Sequence, residues 1–164
     1  VQDIETSQSW TYDLLDQEAD KIAAWAVSTQ EQYIGGYQSN GAVFLAVVIG
    51  LIKAGITAVL FNTRDPIHKL SGLAKQSRVK LGLGQEIPGV EMIDPVQILS
   101  GSNPGRLSAT HRHKTKLSDP AAIIFTSGTS GRSKPALFSH RRLIGAGIAW
   151  SIRTGIIANS RCYI

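Results

Sequence analysis

Ala121-Ala-Ile-Ile-Phe-Thr-Ser-Gly-Thr-Ser-Gly-Arg-Ser-Lys134 is the stretch on which the reading of this chain turns. Ala121 to Phe125 are apolar and predict a short buried strand. Hydroxyls and glycines follow without a break at Thr126, Ser127, Gly128, Thr129, Ser130 and Gly131, and a cation stands at Lys134. A strand that runs into such a segment has the means to wrap a phosphate chain. Glycine lets the backbone approach a ligand closely. Successive N–H groups and hydroxyls donate to phosphate oxygen, and an ammonium neutralises its charge. The same composition also builds ordinary turns between apolar runs.

Spacing separates this loop from two common phosphate binders. The G-x-x-x-x-G-K-[ST] loop needs its second glycine at 133, where Ser133 stands. The G-x-G-x-x-G fingerprint fails because Gly128 and Gly131 are three apart.

The run from Phe125 through Thr126, Ser127, Gly128, Thr129, Ser130 and Gly131 to Lys134, followed by Ala-Leu-Phe-Ser-His140, resembles the phosphate-loop signature of the adenylate-forming enzymes. These are the acyl-CoA synthetases, luciferases and peptide-synthetase adenylation domains, whose usual pattern is [YF]-T-S-G-[ST]-[ST]-G-x-P-K-G. Two positions depart from it: Ser133 replaces the usual Pro, and Pro135 the usual Gly. Pro135 removes one N–H and biases Lys134 toward an extended backbone.

The likeness extends along nearly the whole chain. Trp10-Thr-Tyr12, Asn40 with Phe44, Gly50-Leu-Ile-Lys-Ala-Gly55, Leu60-Phe-Asn-Thr63 and the Leu70 to Lys80 segment are similar to motifs of that superfamily. Leu60 to Thr63 and His140-Arg141 lean toward its fatty acid transport protein branch, the very-long-chain acyl-CoA synthetases. The resemblance implies ATP, magnesium (Mg2+) and CoA as cofactors or substrates, and a fatty acid as the carboxylate. It implies that Thr126, Ser127, Thr129 and Ser130 hold phosphate oxygens, that Gly128 and Gly131 permit the turn, and that Lys134 neutralises pyrophosphate. It further implies an intracellular parent enzyme, in peripheral association with the endoplasmic reticulum, peroxisome or plasma membrane. The family's L-P-L-x-H and Y-G-x-T-E motifs, its magnesium-binding Glu, its ribose-binding Asp and its catalytic Lys have no match here. Residues 1–164 are therefore expected to be a partial AMP-binding domain, inactive alone, with an unpaired sheet edge and uncovered apolar helices that include Ala42 to Ile52.

Composition agrees with a globular unit. The 164 residues are 43% hydrophobic and 18% charged, enough for a core and unlike a disordered chain. The net charge of +5 suits polyanionic ligands. The basic residues lack interleaved aromatics, and the cluster His111-Arg-His-Lys114 reads as a solvated loop, so nucleic-acid binding is not expected. A single cysteine, Cys162, allows no internal disulfide. No charged-then-apolar segment near Val1 resembles a signal peptide.

Before the loop, the pattern alternates between helix and strand. Ser9 to Tyr12 predicts a short strand, and Thr11 an N-cap for a helix that buries Leu15, Ala19, Ile22, Ala23 and Ala26. Tyr33 to Tyr37 is a glycine-weakened strand. Gly41 to Phe61 carries one charge, Lys53, and its length alone would fit a membrane span. Its internal punctuation instead predicts a helix over Ala42 to Ile52, a C-cap at Gly55 and a strand over Thr57 to Phe61. Pro66 opens a helix with Ile67, Leu70, Leu73 and Ala74 on one face. Strands are expected over Val79 to Leu83, Val90 to Ile93 and Ala136 to Ser139. A helical turn is expected over Pro95 to Leu99, and a glycine-weakened helix over Arg141 to Thr154. The fold class that follows is α/β: a mostly parallel sheet flanked by helices, with the phosphate loop at a strand's carboxyl end. Three readings compete with a fragment of a fatty acyl-CoA synthetase: an inert or non-catalytic phosphate-binding remnant, an adenylating enzyme of another branch of the superfamily, and a membrane hairpin built on residues 41–61.

Overall fold

The structure is a computed structural model that describes residues 9–101, 115–127 and 133–157. Helix α1 (Tyr12–Thr29) starts where the sequence places it, because the Leu14 N–H donates to Thr11 Oγ1 at 3.1 Å. That cap draws Tyr12 into the helix, and the strand expected over Ser9 to Tyr12 shrinks to one bridge residue, Ser9. β1 (Tyr33–Tyr37) and α2 (Ala42–Lys53) follow. α2 ends one residue later than predicted. Ala54 is its C-cap, and Gly55 takes the left-handed position after it at φ 73°. There the Gly55 N–H reaches the Ile52 carbonyl at 3.1 Å and the Ile56 N–H the Leu51 carbonyl at 3.0 Å, closing the helix end.

β2 (Thr57–Leu60), α3 (Ile67–Gln76), β3 (Leu81–Gly84), β4 (Glu91–Ile93) and α4 (Pro95–Ser100) complete the first part. β3 starts at Leu81 and not at Val79, whose side chain packs into the core instead. β5 (Pro120–Ser127), β6 (Ser133–Ser139) and α5 (His140–Thr154) form the second. The six strands among the described residues join one sheet in the order β4-β3-β1-β2-β5-β6. Every neighbouring pair is parallel except β5 with β6, which is antiparallel.

Alternation along the strands feeds two apolar layers. Ala58 faces a layer with Ile22, Ala26, Val47 and Leu51 from α1 and α2, against which Ile98 and Leu99 of α4 also pack. Val59 and Phe61 face the other, with Leu70, Leu73 and Ala74 of α3. A Cβ at Gly50 would lie 2.6 Å from Ile22 Cβ, so α1 and α2 meet with no room for a side chain there. Across the same contact the Lys53 ammonium reaches Asp16 at 2.8 Å and Asp20 at 2.6 Å. Burial works to lower the Lys53 pKa, but the bonds to Asp16 and Asp20 and their charges outweigh it and raise it above 10.5.

Two expectations about apolar segments change. Ala42 to Ile52 is not an uncovered helix: α1 and the sheet leave none of its residues exposed. The uncovered helix is α5, which buries no residue and leaves Ile152 77% exposed and Trp150 63% exposed. The membrane alternative for residues 41–61 loses its basis, since that stretch folds as a 12-residue helix and a buried strand. Among the described residues no helix is long and apolar enough to cross a membrane.

Candidate phosphate site

β2 and β5 run side by side in the parallel direction, with Leu60 opposite Ile124, and the Phe61 and Phe125 rings stack at 5.5 Å. β2 ends at Leu60, while β5 continues to Ser127 because β6 pairs with it there. The register sets Thr126 opposite Lys134 and Ser127 opposite Ser133. The loop expected over Thr126 to Lys134 is therefore shorter than its composition predicted. Thr126, Ser127 and Lys134 belong to strands, since an antiparallel partner accepts their extended backbone and threonine suits a strand. Gly128, Thr129, Ser130 and Gly131 lie outside the described residues.

Thr126 and Lys134 are both exposed, and the Thr126 hydroxyl donates to the Lys134 carbonyl at 3.4 Å. As cross-strand partners they present their side chains on one face. Pro135 sits opposite Phe125 in β6, the last strand in the sheet order, where a missing N–H is tolerated.

The chain leaves β2 toward β3 on one side and leaves β5 toward β6 on the other. Neighbouring strands whose connections diverge leave a crevice beyond their carboxyl ends, the place where open α/β sheets take ligands. The turn beside this crevice is fixed by Asn62, whose side-chain oxygen accepts from the Arg64 N–H at 2.9 Å and whose carbonyl accepts from the Asp65 N–H at 3.0 Å. Sequence reading passed over this turn, because a lone arginine in a loop carries no spacing signal.

The start of α5 is closed to ligands. Ser139 Oγ accepts from the Arg142 N–H at 3.3 Å, and the carbonyls of Asp119 and Leu117 accept from the N–H groups of His140 and Arg141 at 3.1 and 2.8 Å. Arg142 lies over the Phe138 ring at 5.1 Å. His140 is half-buried, with its Nε2 unpartnered among the described residues. Among the described residues no three His, Cys, Asp or Glu side chains come together in a way that could hold a metal ion.

Comparison with known proteins connects this geometry to chemistry. The family model described as "AMP-binding enzyme" matches residues 1–161. The nonribosomal peptide synthetase kk1B of Curvularia clavata is 28% identical over 152 residues, which is 85% of this chain and 1% of that protein. The beauvericin nonribosomal cyclodepsipeptide synthetase of Beauveria bassiana is 24% identical over 170 residues, 95% of this chain and 5% of that protein. Among solved structures, the o-succinylbenzoate CoA synthetase of Bacillus subtilis, in complex with its acyl-adenylate intermediate, superposes with a TM-score of 0.77 at 18% identity. That match covers 92% of this chain and 42% of the synthetase, so the two share a fold over less than half of the larger protein.

Proposed function

This chain belongs to the AMP-binding enzyme family, and from that premise we propose that it is the phosphate-holding part of an ATP-dependent carboxylate-activating enzyme. In the complete reaction a carboxylate oxygen attacks the α-phosphorus of ATP, giving an acyl-adenylate and pyrophosphate. A thiol such as that of CoA then displaces AMP. Positioning and charge stabilisation dominate such chemistry. Thr126, Ser127, Thr129 and Ser130 hold the β- and γ-phosphate oxygens, Gly128 and Gly131 permit the turn, and Lys134 neutralises the departing pyrophosphate. Magnesium, when bound with ATP, would supply further positive charge beside the oxygens that these hydroxyls hold. The supporting observation is the β5–β6 register, which pairs a hydroxyl, Thr126, with a cation, Lys134, beyond the carboxyl end of a parallel strand.

Two classes of carboxylate fit this reading. Leu60 to Thr63 and His140-Arg141 favour a long or very long fatty acid. The curated relatives kk1B and the beauvericin synthetase favour the second reading, an adenylating enzyme of another branch. Residues 1–164 are proposed to form a partial AMP-binding domain that binds phosphate without turning over alone. Magnesium ATP should raise the melting temperature of the wild-type chain, and Lys134→Ala should weaken that binding about 10- to 150-fold, from the ~1.5–3 kcal/mol of a charge-assisted contact. Equal stabilisation of both proteins would remove Lys134 from the site. In the complete native protein, pyrophosphate exchange driven by fatty acids or by amino acids distinguishes the two carboxylate readings.

A further inference from the structure

We propose that Arg64 is a second cationic arm of the phosphate site, contacting the phosphate chain from the side opposite Lys134. The inference rests on the phosphate-loop reading above and adds a residue to it. Beyond the last β2–β5 pair, Leu60 with Ile124, β5 keeps β6 on one flank, and on the other flank the chain of β2 runs on through Phe61, stacked on Phe125, into the Asn62–Asp65 turn. Thr126 therefore stands between two cation-bearing segments. Lys134 is its cross-strand partner. Arg64 is anchored to Asn62 at 2.9 Å, next to Phe61, which stacks on Phe125.

The two cations stand on segments that serve opposite faces of the sheet. Ile123 and Phe125 pack with α3, so by alternation Thr126 and its partner Lys134 point to the face that carries α1 and α2. Arg64 lies in the turn that leads into α3, the helix that packs on the other face. A phosphate chain in the crevice at the ends of β2 and β5 would thus meet positive charge on both sides.

Arg64 is free for that task. It is exposed, and its guanidinium forms no ion pair among the described residues. The carboxylate beside it, Asp65, is occupied by Lys69 at 2.7 Å. A planar guanidinium presents several donors in a fork that matches phosphate oxygens, which a second lysine would not.

Calorimetric titration of the chain with magnesium pyrophosphate tests this. Lys75, exposed in the last turn at the far end of α3, supplies the control for loss of one positive charge. Arg64→Ala is expected to weaken binding about 10-fold or more, the scale of one charged contact, with Arg64→Lys intermediate and Lys75→Ala at wild-type affinity. Arg64→Gln keeps a long side chain without the charge and should repeat the loss; a loss confined to Arg64→Ala would overturn the proposal by assigning the effect to the turn. If Arg64→Ala and Arg64→Gln match Lys75→Ala while Lys134→Ala loses affinity, Arg64 is a bystander and the phosphate-loop reading survives. If the wild-type chain binds no pyrophosphate, that reading and this inference fall together.

Discussion

Strands β3, β1 and β2 carry helices on both faces, with α1, α2 and α4 on one side and α3 on the other, whereas β6 and α5 leave most of their apolar side chains in solvent. In α2 the residues Ala42, Ala46, Val47, Gly50 and Leu51 are all buried. In α5, Ile144 and Ile148 are each more than half exposed, and on β6 so is Leu137. Both helices are regular and closed at their C-terminal ends by backbone bonds, and only the exposed α5 has a side-chain N-cap, so hydrogen bonding does not explain the deeper burial of α2. What separates them is a surface to pack on: α2 has α1 and two strands, while α5 touches mainly the hairpin it follows. The contrast shows how a helix can be locally well specified yet contribute little to the stability of the folded unit. The candidate phosphate site lies at the seam between these two regions, with Arg64 on the packed side and Lys134 on the exposed one.

The sharpest way to break this contrast is to delete equivalent apolar groups from both sides. Leu51→Ala empties a fully buried position between α1, α2 and the sheet and should cost about 2–5 kcal/mol. Ile148→Ala removes a side chain that is 55% exposed and should stay within about 0.5 kcal/mol. Urea unfolding of both variants checks the pair. Comparable losses would mean that α5 is packed in solution and that the two regions are energetically alike.

A smaller effect should have opposite signs on the two sides. Gly50→Ala forces a Cβ to within 2.6 Å of Ile22 and 2.7 Å of the Ala19 carbonyl, which should cost about 1–3 kcal/mol. Gly145→Ala and Gly147→Ala meet nothing within 4 Å, so replacing a helix-weakening glycine should stabilise α5 by about 0.5–1 kcal/mol each. Amide hydrogen exchange confined to α5 would record that gain even where global unfolding does not. Faster exchange in the double variant would show that the glycines serve a close contact.

Much of the packed region was legible because its residues obey one rule at a time. The spacing of Leu15, Ala19, Ile22 and Ala26 places the buried face of α1, and Thr11 places its start. Gly55 marks the end of α2 because a left-handed residue there needs glycine more than any other type. The candidate site was less legible. Thr126, Ser127 and Lys134 read as loop because hydroxyls and glycines dominate the stretch, yet their backbone pairs as strand, a consequence of β6 being long enough to reach them. The part played by Pro135 depended on β6 being an edge, and edge position is a property of sheet order that no local pattern encodes. The uncovered face of α5 was misassigned to α2 for the same reason: apolar composition shows that a helix wants a partner, not which helix finds one.

The ion pairs sharpen the comparison at the smallest scale. All those described lie in the packed region, and the Lys53 triad clasps α1 to α2. Lys53→Met should cost about 1 kcal/mol. Screening limits the worth of the half that involves exposed Asp16, and the loss comes chiefly from leaving the buried Asp20 without its partner. The pH dependence has a definite sign. The folded-state pKa of Lys53 is raised above 10.5, so more protons are bound at this site in the folded chain than in the unfolded one near that pH. Its contribution is fully present below the unfolded lysine pKa of about 10.4 and is lost as pH rises through the raised folded value. The stability difference between wild type and Lys53→Met should therefore be flat through neutral pH and shrink only in the alkaline range, as α1 and α2 loosen. Under the same titration α5, whose described residues include no such pair, should keep its exchange rates after correction for intrinsic pH dependence. A difference that stays constant through the alkaline range would show that the Lys53 charge does not hold the clasp.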